Sequence, residues 1–143
     1  SPLSLTQVFF ITTESSASAS EFIINALKPF IDVVTVGAAT FGKPVGEDGF
    51  NLCTDVLYPI TFKIENVSGY GDYFNGLPAT CPAADDLGHA LGDPDEASLA
   101  AALSYIRTQS CPPQAAARPS ASRATPSSRR VARDGWRQLI NAY

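Results

Sequence analysis

Ser15-Ser16-Ala17-Ser18-Ala19-Ser20-Glu21, followed downstream by Thr40-Phe41-Gly42-Lys43, is the part of the chain whose reading decides the rest. Val8-Phe9-Phe10-Ile11, just before the small-residue run, has strand character. After the run, Phe22, Ile23, Ala26, Leu27 and Phe30 recur at helical spacing. The unit predicted is therefore strand, tight turn and helix. The helix runs from Ser18 to Lys28 and is stopped by Pro29, which cannot continue the hydrogen-bond ladder. A second strand, Val33 to Gly37, leads into the lysine turn.

Two readings compete for Ser18. At a helix N-terminus, free backbone N–H groups and the positive end of the helix dipole favour a developing negative charge, which suits an alkoxide or an oxyanion. The same Ser18-Ala19-Ser20-Glu21 segment also fits a capping box, in which serine and glutamate satisfy each other's backbone N–H groups. Lys43 on its own reads as a solvated lysine on a glycine-containing turn. It can act as a base toward serine only when it is neutral, which requires desolvation. Val36, Gly37, Ala38, Ala39, Phe41 and Gly42 carry no charge and suit a desolvated amine.

Taken together, Ser16 to Phe22, the helix ending near Phe30, the strand Val33 to Gly37 and Thr40-Phe41-Gly42-Lys43 resemble the C-terminal processing (tail-specific) serine peptidases. In that family the middle serine of the S-A-S-A-S-E run is the nucleophile and the lysine of T-F-G-K is its general base. The 25-residue separation from Ser18 to Lys43 agrees with the family. The resemblance implies Ser18 as nucleophile, Lys43 as base and the Ala19 N–H as one oxyanion donor. It covers about residues 5 to 111, because Cys81 to Pro94 also looks like a D-D-L-x-H-A-L-G-D-P segment of one branch of the family. There is one departure. The family usually carries a glutamine four residues after the lysine, and Glu47 stands here. A carboxylate at that place favours the ammonium form, the wrong direction for a base. Glu47 is therefore expected to point away, to be protonated, or to leave this copy slow or inactive.

The resemblance implies an α/β fold, the C-terminal part of a ClpP/crotonase-like core of strand-strand-helix units, followed by a flexible basic tail ending in a short helix. The boundaries expected are 1–111 for the core, 112–128 for a Pro/Ala/Ser/Arg linker and 129–143 for the terminal helix. In that helix Trp136, Leu139, Ile140 and Tyr143 form one apolar face, with docking on the peptidase core favoured over a membrane. The activity implied is a serine endopeptidase cleaving proteins near their C-termini through a Ser-Lys dyad and an acyl-enzyme. Its partners would be polypeptide substrates with apolar C-termini and an N-terminal half bearing a PDZ domain. The setting implied is extracytoplasmic, periplasmic or at the cell envelope, with membrane association only through the parent protein. The competing reading is a non-catalytic peptide-binding or scaffold remnant of the same fold.

Of 143 residues, 14 are acidic and 10 basic, and the formal net charge is −4. The basic side chains concentrate late: six arginines and a single acidic residue, Asp134, follow position 111, whereas residues 1–111 hold four basic and 13 acidic side chains. No aromatic residue lies between Gln114 and Asp134 to stack on bases, so nucleic acid is not expected as a partner. No cofactor is expected either. The glycine-rich Gly42 to Gly49 lacks a phosphate-loop pattern and carries acidic side chains, and it reads as a mobile rim of the active-site cleft.

Phe50 to Glu65 reads as strand broken at Pro59, and Asn66 to Asp72 as a turn. A hairpin centred near Val67 would place Cys53 opposite Cys81, suggesting a disulfide. Cys111 is an equal candidate partner for Cys81, and two free thiols are the plain alternative. Three cysteines and the lone His89 lack zinc-ligand spacing, so no metal is expected. No local spacing supports a triad of His89 with Asp85 or Asp86. Asn66-Val67-Ser68 fits the glycosylation tripeptide, a short pattern with little weight. Asp93-Pro94-Asp95-Glu96 reads as a helix start, with Leu99, Leu103 and Ile106 as the apolar stripe.

Overall fold

A computed structural model describes residues 3–113 of the chain. Nearly all of them belong to one compact unit, Ser1–Pro112. The linker expected at 112–128, apart from its first two residues, and the helix expected at 129–143 lie outside the described residues.

The architecture is mixed sheet and helix. Strand β1 (Gln7–Thr12), helix α1 (Ala19–Leu27) and strand β2 (Asp32–Gly37) form a βαβ unit, with β1 and β2 parallel from Gln7↔Asp32 to Thr12↔Gly37. A short strand, Cys81–Pro82, adds to the other side of β2 in parallel and makes β2 the central strand. The β-branched run Val33-Val34-Thr35-Val36 suits that place, covered on both faces. Val34 and Val36 are buried with Cys81, Ala101 and Ala102, and Phe9 and Tyr105 pack edge to face against the same cluster, ring centroids 5.9 Å apart. On the opposite face Ile24 is buried with Tyr73 and Leu77, with Phe10 and Val33 beside them. The sheet thus has a helix on each side, α1 against Phe10 and Val33, and the helix Ala97–Thr108 against Phe9 and Val34.

Between these parallel strands the chain inserts a ribbon. In chain order the remaining strands are β3 (Val45–Glu47), β4 (Phe50–Leu52), β5 (Asp55–Leu57) and β6 (Ile60–Lys63), which makes Cys81–Pro82 β7 and Ala97–Thr108 α2. β3 pairs antiparallel with β6, and β4 with β5. The stretch Gly42 to Gly49, expected as a loop, therefore contains strand β3.

Two further expectations are corrected. The hairpin does not centre near Val67. It closes at Cys53 and Thr54, with Leu52 opposite Asp55 and Cys53 in the left-handed region at φ 54°. Cys53 is consequently an exposed free thiol, and the disulfide joins Cys81 to Cys111, Cα atoms 5.4 Å apart. The reason is topological: Cys81 enters the parallel sheet beside Val36, and α2 packs on the same face, which returns the chain to Cys81 just past the helix end. The second correction concerns α2. It starts at Ala97, not at Asp93-Pro94. Asp93 instead folds a turn, its Oδ1 accepting from the Asp95 N–H, and Glu96 caps the helix by accepting from the N–H groups of Ser98 and Leu99 at 3.0 and 2.8 Å.

In both helices the buried face is not the expected apolar stripe. α1 buries Glu21, Ile24 and Asn25, while Phe22 and Ile23 are nearly half exposed and Phe30 more so. α2 buries Ser98, Ala101 and Ala102, small residues that let the helix approach the sheet closely, and leaves Ile106 exposed.

Candidate functional site

The site grows from the two C-terminal ends of β1 and β2. Thr12 and Gly37 close the parallel ladder. The Ala38 N–H donates to the Thr12 carbonyl (2.9 Å), and the Thr12 hydroxyl donates to the Ala38 carbonyl (2.7 Å). Gly37, at φ 121°, leaves the strand in a conformation that side chains avoid, and a Cβ there would run into the Thr12 carbonyl. The loop after β1 and the loop after β2 are thus launched side by side. A further bond, from the Phe41 N–H to the Ser16 carbonyl at 2.8 Å, keeps them together.

Ser18 sits on the first loop directly before α1, half-buried, with φ 54° and ψ −112°. A serine in that region carries backbone strain of about 1–3 kcal/mol, which the surroundings must hold in place. A sharp, strained strand-to-helix turn is how a nucleophilic serine is presented at a sheet's edge. Ala19 opens α1, so its N–H is among those without an intrahelical acceptor.

What holds the turn is Glu21. The Ser18 N–H donates to Glu21 Oε2 at 3.0 Å, so the glutamate's half of the capping box is formed. The same oxygen accepts from the Lys43 N–H at 2.8 Å. The other oxygen accepts from the Gly42 N–H at 2.6 Å and from the Thr40 hydroxyl at 2.5 Å. Glu21 is 0% exposed. Burying a carboxylate is costly unless its acceptor sites are filled, and four donors face this one. The cap and the site are therefore not alternatives, because one carboxylate serves the helix start and the lysine turn together.

Lys43 is 4% exposed. Its Nζ lies 3.6 Å from Glu47 Oε1, a residue on β3 one short turn ahead. Glu47 faces the lysine and does not point away. The sequence around Lys43 was expected to offer uncharged company. The fold instead supplies two carboxylates, Glu21 at its backbone and Glu47 at its amine.

On the far side the T-F-G-K turn is braced by the segment 73–77. The Thr40 N–H donates to the Leu77 carbonyl (3.0 Å), and the Leu77 N–H donates back to the Thr40 hydroxyl (2.7 Å). Gly42, at φ 96°, lies so close to the Phe74 carbonyl and the Gly76 N–H that no larger residue fits. Tyr73 is buried beneath, its hydroxyl without a hydrogen-bond partner. Burial, then the nearby charge of Glu21, then Tyr70, push its phenol above the usual range.

Asn25, one turn along α1 from Glu21, is a second buried polar anchor that the sequence reading missed. Its Nδ2 donates to the Tyr70 carbonyl at 2.7 Å, and Asn66 Nδ2 donates to Asn25 Oδ1 at 3.1 Å. The Asn66 amide is therefore engaged inside the fold, against its use as a glycan acceptor. The signal for both anchors is the spacing of Ser18, Glu21 and Asn25, which share one helical face.

His89 pairs with Asp86, Nδ1 to Oδ2 at 2.7 Å, on an exposed turn. Among the described residues no hydrogen bond or ion pair joins that pair to Ser18, and Asp85 is exposed. Among the described residues no group of three His, Cys, Asp or Glu side chains is placed to hold a metal ion.

No protein-family model matches the chain, and no curated protein matches it. Among solved structures it is similar to a crystal structure described as "Putative S41 protease from Bacteroides fragilis NCTC 9343", with 29% identity and a TM-score of 0.68. The match covers 76% of this chain and 29% of that one, so the chain spans less than a third of its neighbour's length. The likeness is to part of a protease, and at the level of fold it places the chain beside a peptidase.

Proposed function

We propose that the chain is the C-terminal part of the catalytic core of a serine endopeptidase of the C-terminal processing kind, working through Ser18 and Lys43. The observation that carries the reading is the single Glu21 oxygen that accepts from both the Ser18 and the Lys43 N–H groups, so that nucleophile turn and lysine turn are built against each other. The 29% identity to part of a protease supports the same class.

In this mechanism neutral Lys43 Nζ takes the Ser18 hydroxyl proton as Oγ attacks the scissile carbonyl carbon. The carbonyl electrons move to oxygen, and the oxyanion rests against the Ala19 N–H at the start of α1. The intermediate collapses, the C–N bond breaks, and the lysine ammonium gives its proton to the leaving amine. Water then resolves the acyl-enzyme by the same route. The second oxyanion donor and a PDZ domain belong to an N-terminal half, a proposed partner, within a ClpP/crotonase-like core. Substrates would be polypeptides with apolar C-termini. The Cys81–Cys111 disulfide favours an oxidising, extracytoplasmic setting.

The test is cleavage of an unstructured polypeptide with an apolar C-terminus, followed by mass spectrometry, for the natural-length protein and its Ser18→Ala variant. Cleavage should fall by about 10³-fold or more in the variant with the thermal melt unchanged. Cleavage by Ser18→Ala at the native rate would sink the assignment.

A second reading, a peptide-binding or scaffold remnant, is favoured by Glu47 at 3.6 Å from the lysine amine. Glu47→Gln takes away an ion-pair partner of the lysine amine. If the protein is a peptidase, Glu47→Gln raises kcat several-fold, on the order of one lost ion-pair interaction. If it is a remnant, the substitution leaves peptide affinity unchanged and no turnover appears.

A further inference from the structure

We infer that Glu21 is a positioning residue for the Ser18–Lys43 site: its carboxylate fixes the strained Ser18 turn and the lysine turn relative to each other, with Thr40 as its orienting partner. The inference rests on the serine–lysine reading for its catalytic consequence, although the geometric claim stands on the hydrogen bonds alone.

The two carboxylate oxygens divide the work. Oε2 takes the backbone N–H groups of Ser18 and Lys43, one from each loop. Oε1 takes the Thr40 hydroxyl and the Gly42 N–H, both from the lysine loop. Thr40 has spent its only hydroxyl proton on Glu21 and accepts the Leu77 N–H on the same oxygen, so the hydroxyl cannot reverse. The chain of bonds therefore has one direction, from the Leu77 N–H through Thr40 to Glu21, and the carboxylate is locked in rotation about its last bond. A capping glutamate on a solvent-facing turn needs none of this. It would require one backbone N–H, would stay exposed, and would not reach 21 residues along the chain to Gly42.

The consequence for Ser18 is direct. Its φ of 54° is unfavourable for serine and persists only while something holds the peptide N–H in place. Glu21 Oε2 is what holds it. The consequence for Lys43 is that its backbone is fixed while the side chain remains to move a proton. Glu21 touches no substrate in this arrangement, and its effect passes through the two residues it orients.

A glutamine at position 21 keeps the side-chain shape but replaces one oxygen with an NH2 group, a donor set against two donors. The experiment compares native protein, Glu21→Gln, Thr40→Val and Thr40→Ser by amide hydrogen exchange and by cleavage kinetics. In Glu21→Gln, protection of the Ser18, Gly42 and Lys43 amides should fall by about tenfold or more, while the Val34 and Val36 amides in the central strand keep theirs. The kcat should fall by about tenfold or more with KM within about twofold, because the substrate is still bound and only the alignment is lost. Thr40→Val should reproduce part of both losses and Thr40→Ser should restore them, which holds even where Glu21→Gln fails to fold. Unchanged protection at the three amides, or loss spread equally to Val34 and Val36, overturns the positioning role. Native kcat in Glu21→Gln overturns its catalytic consequence. Absence of Ser18-dependent cleavage in the native protein instead sinks the peptidase reading, and the exchange data then decide the positioning role alone.

Discussion

The neighbourhood of Ser18 and Lys43 and the ribbon that follows it are opposites in where they put their polarity. Around the site Glu21, Asn25, Thr40 and Lys43 are all buried, at 5% exposure or less. In the ribbon of β3 to β6, Leu52, Leu57 and Tyr58 are each more than half exposed, and Phe50, Val56, Ile60 and Phe62 about half. The difference shows what each region is held together by. The site consists of loops whose backbone N–H groups have no ladder to join, so buried side chains must supply their acceptors. The ribbon satisfies its backbone by strand pairing, with Gly46 of β3 lying under the Phe62 ring across the pair, and depends little on burial within the described residues.

This contrast can be broken from the polar side first. Replacing Asn25 with leucine keeps the volume and removes the anchor's two side-chain bonds, which leaves the Tyr70 carbonyl with only the Asn66 N–H and the Asn66 amide with only the Asn25 backbone carbonyl. Each hydrogen bond lost costs about 0.5–1.5 kcal/mol, so the variant should lose about 1–3 kcal/mol. In a thermal melt this is a fall on the order of 10 °C. A loss under about 1 kcal/mol would mean that water replaces the amide at no cost and that the region does not rely on buried polar anchors.

The apolar side should respond much less. Leu57 on β5 is 56% exposed, and Leu57→Ser should change stability by no more than about 0.5 kcal/mol in the same melt. A loss above about 1.5 kcal/mol, the scale of a fully buried leucine, would show that this side chain is covered in the natural protein and would sharpen the contrast into a question of what covers it.

The same contrast explains what could be read from the sequence. The βαβ unit was legible, because β-branched and aromatic runs around a helical repeat leave few alternatives. The Ser18 and Lys43 loops were legible from a short run whose residues and spacing resemble a known family. The inward faces were not. Periodicity locates a helical stripe without saying which stripe meets the sheet, and in α1 the polar residues Glu21 and Asn25 face inward, where they bond the loops. Of the two pairings left open for Cys81, the one with Cys53 fails because the symmetric hairpin it presumed does not exist: β4 and β5 turn back within two residues at Cys53 and Thr54, and Cys81 joins a parallel sheet and bonds Cys111. The brace from Tyr73 to Leu77 had no local signature, since its role is set by backbone contacts 37 residues apart.

The smallest effect is expected where a polar pair lies outside, at His89 and Asp86. Their hydrogen bond, followed by the charge of Asp86 and then by the more distant Asp93 and Asp95, raises the His89 value above its ordinary 6.5. The same bond, with help from the Gly88 N–H, lowers Asp86 below its ordinary 3.8. A raised histidine contributes stability that is fully present below 6.5 and is lost as pH rises through the folded value. A lowered aspartate contributes stability that is present above 3.8 and is lost as pH falls through its folded value. The pair therefore helps most between those two limits. Solvent screens it, so its share of stability should be far below that of Asn25. Comparing melts of the native protein and His89→Gln, the gap should be widest between the ordinary aspartate and histidine values and should narrow as pH rises above 6.5 through the raised histidine value. A gap that stays constant across that range would mean that the imidazole's charge plays no part, and that an exposed pair, like the buried anchors, acts through geometry alone.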